Sequence, residues 1–164
     1  MKKIILFLVI MLTACSSAPK IDAPKTLEVS SVFQEGKDIP KMYTCDGKNI
    51  NPYLNIENVP EDSKSLVIIL EDPDAPKGTF THWVAFNIKK TELHQDYSAQ
   101  AGMNDFGSIG YGGPCPPKET HRYYFRVYSL DKTLTFSNPP KREDVLKKMR
   151  GHVLAWGELM GKYR

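Results

Sequence analysis

Four polar residues stand at the ends of apolar, strand-like runs: Asp72 after Leu66–Leu70, His82 ahead of Val84 and Phe86, and His121 with Tyr123 ahead of Phe125 and Val127. A carboxylate, two imidazoles and a phenol brought together can do two kinds of chemistry. Imidazole N–H and phenol O–H donate to the oxygens of an anion, while the carboxylate orients and charges an imidazole or accepts from an ammonium group of the ligand. The same residue types also serve acid–base catalysis or metal ligation. Against those uses, the sequence has no His-x-x-x-His or Glu-x-x-His spacing, and no serine lies in an activated-nucleophile motif. The expectation is therefore a binding site, with no catalytic residue, metal or cofactor assigned. A hydrolase using the Asp/His/His cluster is the alternative.

Three strands must position these groups. Leu66-Val-Ile-Ile-Leu70, bounded by the turn Glu71-Asp-Pro-Asp-Ala-Pro76, predicts a strand buried on both faces. Side chains alternate along a strand, so Asp72 shares the face of Leu66, Ile68 and Leu70 and lies at the rim of the row they bury. In Thr81–Ile88, strict alternation puts His82 with Val84, Phe86 and Ile88. In His121–Val127 it puts His121 with Tyr123, Phe125 and Val127, and turns Arg122, Tyr124 and Arg126 away. His94 and His152 lack such context and are assigned to structure or surface.

Asp72-Pro-Asp-Ala-Pro76 with His82-Trp83, followed by Gly112-Gly-Pro-Cys-Pro-Pro117 and His121-Arg-Tyr123, resembles the phosphatidylethanolamine-binding protein family, its bacterial Raf-kinase-inhibitor-like branch above all. The resemblance runs from about Leu27 to Tyr163 and takes in Thr44-Cys-Asp-Gly47 and Asn49-Ile-Asn-Pro52. Glu119 departs from it, standing where many relatives have glycine. The resemblance implies an antiparallel Greek-key β-sandwich with a pocket for a small anion or phosphorylated head group. The pocket residues would be Asp72, His82, Gly113, His121 and Tyr123, with a backbone N–H of the glycine-rich loop, best that of Gly113, approaching the ligand. Asp74 is expected to form the turn, and Trp83, Tyr111 and Pro114 to shape wall and mouth. Inhibition of a kinase or protease through the surface is the other use that some relatives suggest, and the protein partner is left open.

Cys45 and Cys115 lie in separate motifs bordering the same pocket. The resemblance implies their proximity, and export would favour a disulfide between them. The export reading comes from Lys2-Lys3, the apolar run Ile4–Leu12 and Leu12-Thr-Ala-Cys15, which resembles a lipobox. Residues 1–14 are then a signal peptide and Cys15 carries lipid, with acyl chains holding the protein at a membrane. Ser16 rather than aspartate after the cysteine points to the outer membrane, facing the periplasm. Residues 15–26, with Pro19 and Pro24, form a tether, and the domain spans residues 27–164.

The whole chain is of ordinary globular make-up, with 41% hydrophobic and 10% aromatic residues. Beyond Ala14 it has 20 basic and 19 acidic residues, about +1, and no basic patch that would suit nucleic acid. Ala101–Pro117 is rich in glycine and holds three prolines, so it predicts a structured loop at the site. Arg142–Met149 predicts one short helix, introduced by Asn138-Pro-Pro140 and closed by Gly151, and Val153–Met160 a last strand. Many strands and one helix give an all-β sandwich with a minor helix.

Overall fold

The structure, a computed structural model, describes residues 21–164. In chain order it contains β1 (Glu28–Ser31), a 3-10 turn at Lys41–Tyr43, β2 (Leu54–Glu57), β3 (Ser65–Asp72), β4 (Phe80–Ile88), β5 (Glu92–Leu93), β6 (Gln100–Ala101), β7 (His121–Leu130), α1 (Arg142–Met149) and β8 (Val153–Tyr163). The strands make two antiparallel sheets, one ordered β1-β2-β5 and the other β6-β4-β3-β7-β8. The protein is all-β with a minor helix, as the sequence predicts.

The central strand β3 is buried along its whole length because both faces of its sheet are covered. Leu66, Ile68 and Leu70 face the small sheet, packing in one core with Leu54, Ile56 and Leu93. Val67 and Ile69 face a second core closed by Val145, Leu146 and Met149 of α1. This is why the run is apolar throughout instead of alternating. Glu71 also points to the helix side, where its buried carboxylate is paired with Arg126 of β7 and Arg142 of α1. Helix and sheet are thereby joined by charge as well as by packing.

Strict alternation fails in β4, and this corrects the expected face of His82. The pairing of β4 with β3 is interrupted twice: Leu70 faces Trp83 but Glu71 faces Thr81, and Leu66 faces Ile88 but Ile68 faces Ala85. Each interruption is a bulge, in which extra β4 residues oppose β3 and the face sequence shifts. Trp83, Ala85 and Ile88 therefore belong to the inter-sheet core, and Val84 and Phe86 to the helix-side core. His82 is buried with the former set, its ring edge-on to Tyr123. At the second bulge Asn87 is left-handed (φ 56°), and its side chain holds both N and O of Leu134.

The ordered contacts of the domain begin before Leu27. Ile21 packs on the helix-side core, Trp156 N donates to Pro24 O (3.0 Å), and Leu27 N donates to Trp156 O (3.1 Å). Lys25 lies over the Trp156 ring and pairs with Glu158 at 2.7 Å. The outer edge of β8 is thus covered by backbone from 24–27 and again by 36–39, so this long strand offers no open ladder. The expected signal peptide, Cys15 and the first part of the expected tether lie outside the described residues.

Candidate functional site

One end of the five-stranded sheet gathers the chemistry. Register puts Asp72 opposite Phe80 at the β3–β4 turn and His121 opposite Tyr163 where β7 meets β8. Asp72, buried to 3% exposure, has both carboxylate oxygens in use: Oδ1 accepts from Asp74 N (2.9 Å) and Oδ2 from His121 Nδ1 (2.7 Å). Buried carboxylates need such donors.

Asp74 does more than form the turn expected of it. Its oxygens take three bonds from Arg122: the backbone N (2.9 Å), Nε (2.9 Å) and Nη2 (2.6 Å). The guanidinium holds the Asp74 carboxyl down at about 2. This fork clamps the start of β7 to the β3–β4 turn, one residue from His121.

His82 is held from the glycine loop. Its Nδ1 lies 2.8 Å from Gly112 O and 3.1 Å from Gly113 O, and Gly112 N donates back to His82 O (2.9 Å). Two carbonyls on one nitrogen mean that Nδ1 carries the proton. Burial lowers the His82 pKa, opposed by the Gly112 carbonyl and by the charge of Asp72. The ring is packed among Phe80 (centroids 5.0 Å apart), Phe106 (5.2 Å) and Tyr123 (5.2 Å).

Gly113 is at the site for a different reason from the one expected. Its N–H donates to Asn49 Oδ1 at 2.7 Å, so it is already committed within the protein. A Cβ there would meet Tyr43 O at 2.4 Å and Thr44 Cα at 2.8 Å. Glycine is required because the 111–117 loop lies directly against the 41–49 loop. Three further links join the two loops: Cys45 N to Pro114 O (3.1 Å), Tyr111 Oη to Tyr43 O (2.7 Å), and the Cys45–Cys115 disulfide, Cα atoms 5.4 Å apart. Trp83 packs edge-on to Tyr111, so these two build the wall behind the loop. Burial pushes the Tyr111 phenol up.

Tyr123 lies between the histidines, its ring 5.2 Å from His82 and 6.5 Å from His121 by centroids. The residue is fully buried, and its hydroxyl proton has no acceptor among the described residues. Burial and the charge of Asp72 raise its pKa, so it stays a protonated donor at neutral pH.

The structure thus brings Asp72, His82, His121 and Tyr123 together, with Gly113, Pro114, Trp83 and Tyr111 supporting them. Sequence reasoning missed Asn49, Phe80 and Phe106. Phe80 is two residues before His82 and could have been placed by alternation. Phe106 sits in the irregular glycine loop, where no periodicity applies. A crevice of about 240 Å³ opens beside the loop, lined by Asn49, Phe106, Tyr111 and Gly113 among others. Neither this crevice nor a larger one of about 730 Å³, lined by Phe86, Gln100, Phe136 and Pro139 among others, is lined by any of the four convergent residues. Chemistry rather than volume marks the site. Among the described residues no group of three or more His, Cys, Asp or Glu side chains is arranged to hold a metal ion.

Fold and site define a single all-β domain whose sheet end carries a carboxylate-backed histidine, a carbonyl-backed histidine and a buried tyrosine. The family model for phosphatidylethanolamine-binding protein matches residues 29–164, and the chain belongs to that family. Similar chains include UPF0098 proteins of Archaeoglobus fulgidus (45% identical over 97% of this chain) and Pyrococcus horikoshii (48% over 84%). The matches span 58% and 76% of those proteins' own lengths, respectively. Among solved structures, a phosphatidylethanolamine-binding protein homologue from Chlamydia trachomatis is similar at TM-score 0.81 and 40% identity, covering 85% of this chain and 98% of that one. YbcL of E. coli, described as a member of the mammalian family, is similar at TM-score 0.76 and 28% identity, covering 84% and 98%.

Proposed function

We propose that this protein is a binding module for a small phosphorylated anion, held at the cell envelope by lipid on Cys15. The observation that supports the pocket reading best is the fully buried Tyr123 hydroxyl, whose proton has no acceptor among the described residues, set between two imidazoles each fixed through its Nδ1. A buried donor without an acceptor is costly unless a ligand or water supplies one. Phosphoryl oxygens accept from phenol and imidazolium alike. The Asp72 carboxylate then serves to orient His121 and to balance its charge when that ring is protonated.

Calorimetric titration of phosphorylethanolamine, a head group in keeping with the family's name, tests the reading. A charge-assisted hydrogen bond contributes about 1.5 to 3 kcal/mol. His121→Ala is therefore expected to weaken binding at least tenfold at pH 6. Equal affinity in wild type and His121→Ala overturns it.

The envelope part of the proposal rests on the sequence of residues 12–15. Labelled palmitate should enter the wild-type chain, and Cys15→Ala should stop this and release the protein from the outer-membrane fraction. Incorporation into Cys15→Ala removes the lipobox reading.

A further inference from the structure

The two imidazoles of the site are fixed in a way that dictates which ligand protonation state fits. His82 gives its Nδ1 proton to two carbonyls, and His121 gives its Nδ1 proton to the Asp72 carboxylate. In each ring the nitrogen left for a ligand is Nε2. Neither Nε2 has a protein partner among the described residues, and neither is sealed from solvent: the fully buried side-chain atoms without a partner are Tyr123 Oη and Ser129 Oγ alone.

The two Nε2 atoms are not equivalent. Behind His121 stands the Asp72 carboxylate, 2.7 Å from its Nδ1. Behind His82 stand only carbonyl oxygens, and around it Phe80, Phe106 and Tyr123. The titratable groups facing His82 are Asp72 from β3, Asp105 from the glycine loop, and Tyr123 with His121 beyond it from β7. Burial outweighs the two carboxylates and favours the neutral ring. A neutral ring with its proton on Nδ1 presents a lone pair on Nε2 and accepts a hydrogen bond instead of donating one.

The pocket therefore combines a buried donor, Tyr123, with an acceptor, His82, beside the carboxylate-backed ring of His121. An anion whose oxygens are all unprotonated leaves that acceptor facing a lone pair. A phosphate monoester in its monoanionic form has an anionic oxygen for the Tyr123 hydroxyl and a P–O–H for His82. A phosphodiester of the same charge has no such proton. We infer that the site, read as the phosphoryl pocket proposed above, selects a proton-bearing phosphate monoester over a phosphodiester, with His82 Nε2 as the specificity-determining acceptor. The ligand class is then a small phosphomonoester and not the diester head group of an intact glycerophospholipid.

The test compares phosphorylethanolamine with its O-methyl ester, which keeps the ammonium group and differs by one methyl that replaces the titratable proton. Titrations of the full chain are run at pH 6, where both ligands carry a singly charged phosphoryl group to a large extent, and at pH 7.5. A phosphate monoester loses its second proton near about pH 6. The monoester is expected to bind at least tenfold more tightly than its methyl ester at pH 6. Its affinity should fall close to tenfold per pH unit above that, with about one proton taken up per ligand at pH 7.5, read from buffers of different ionisation enthalpy. Methyl-ester binding within threefold of the monoester at pH 6, or monoester binding without proton uptake at pH 7.5, overturns the inference while leaving the anion pocket standing. Binding of neither compound at either pH overturns the pocket reading, and the inference with it.

Discussion

Asp72 and His121, separated by 49 residues in the chain, meet at 2.7 Å as a buried pair at the common end of β3 and β7. Removing one partner of a buried pair leaves the other without compensation, which costs about 3 to 5 kcal/mol. Asp72→Ala is expected to lose stability of that order in urea unfolding, because it also removes the acceptor for Asp74 N. Asp72→Asn keeps an oxygen for one of the two donors and should lose clearly less. Equal, small losses in both variants would mean that the pair contributes nothing to the fold.

His82 should titrate below the ordinary imidazole value. Its pKa is lowered by burial, so protons bind more readily to the unfolded chain than to the folded one. The sign follows: the contribution is complete above about pH 6.5, the unfolded value, and is lost as pH falls from there towards the folded pKa. Following the His82 ring protons by NMR between pH 8 and pH 4 checks this. A midpoint above that of a model peptide would contradict it.

Acid should also break the clamp next to the site. Asp74 has its carboxyl held at about 2 by the Arg122 fork, against an ordinary value of 3.8. A depressed carboxyl pKa gives stability that is present above about pH 4 and disappears as pH falls towards 2. Arg122→Ala should flatten the dependence of melting temperature on pH in that window. A pH profile parallel to wild type there would show that the fork is not coupled to folding.

The sequence was legible where one period governs a whole element. Leu66–Leu70 read correctly as a strand buried on both faces, and in His121–Val127 the alternation placed His121 and Tyr123 on the core side. Arg142–Met149 is helical over the residues predicted. The reading failed in β4, because a bulge shifts the face sequence by one and nothing in Thr81–Ile88 announces it apart from Asn87, whose left-handed backbone belongs to the second bulge. His82 still reaches the site, but through the bulge and not through simple alternation. The role expected of the Gly113 amide failed for another reason. Whether a backbone N–H is free depends on what lies against it, and the partner, Asn49, is 64 residues away.

The Cys45–Cys115 disulfide closes a separation of 70 residues. In the chain-entropy account a loop of that size contributes about 4 kcal/mol. Reduction, or replacement of both cysteines by serine, is expected to lower stability by a figure of that order and to loosen the contact between the 41–49 and 111–117 loops. Phosphorylethanolamine affinity should fall with it, since the carbonyls that orient His82 are on the second loop. Thiol counting on the denatured, unreduced protein should find neither Cys45 nor Cys115 reactive. Two reactive groups from this pair would show that the bond does not form.

The last prediction concerns where the domain begins. Sequence composition places the boundary near Leu27, yet Ile21 adds to the helix-side core, and Ala23 and Pro24 each accept a hydrogen bond from Trp156, through Nε1 (3.2 Å) and N (3.0 Å). Lys25 adds a cation over the same indole and a bond to Glu158. A chain starting at Leu27 would lose all of these, uncover the edge of β8 around Trp156, and leave an exposed aromatic strand open to pairing. Half-exposed ion pairs contribute about 0 to 1 kcal/mol, so most of the loss should come from Ile21 and the backbone bonds. Starting at Leu27 instead of Ile21 is therefore expected to cost about 2 to 3 kcal/mol, from one small apolar burial and about two hydrogen bonds. Cooperative unfolding should persist, because the two cores themselves are untouched. Urea titrations of both chains, followed by Trp fluorescence, measure the difference. Superimposable curves would return the boundary to Leu27 and make residues 21–26 part of the tether.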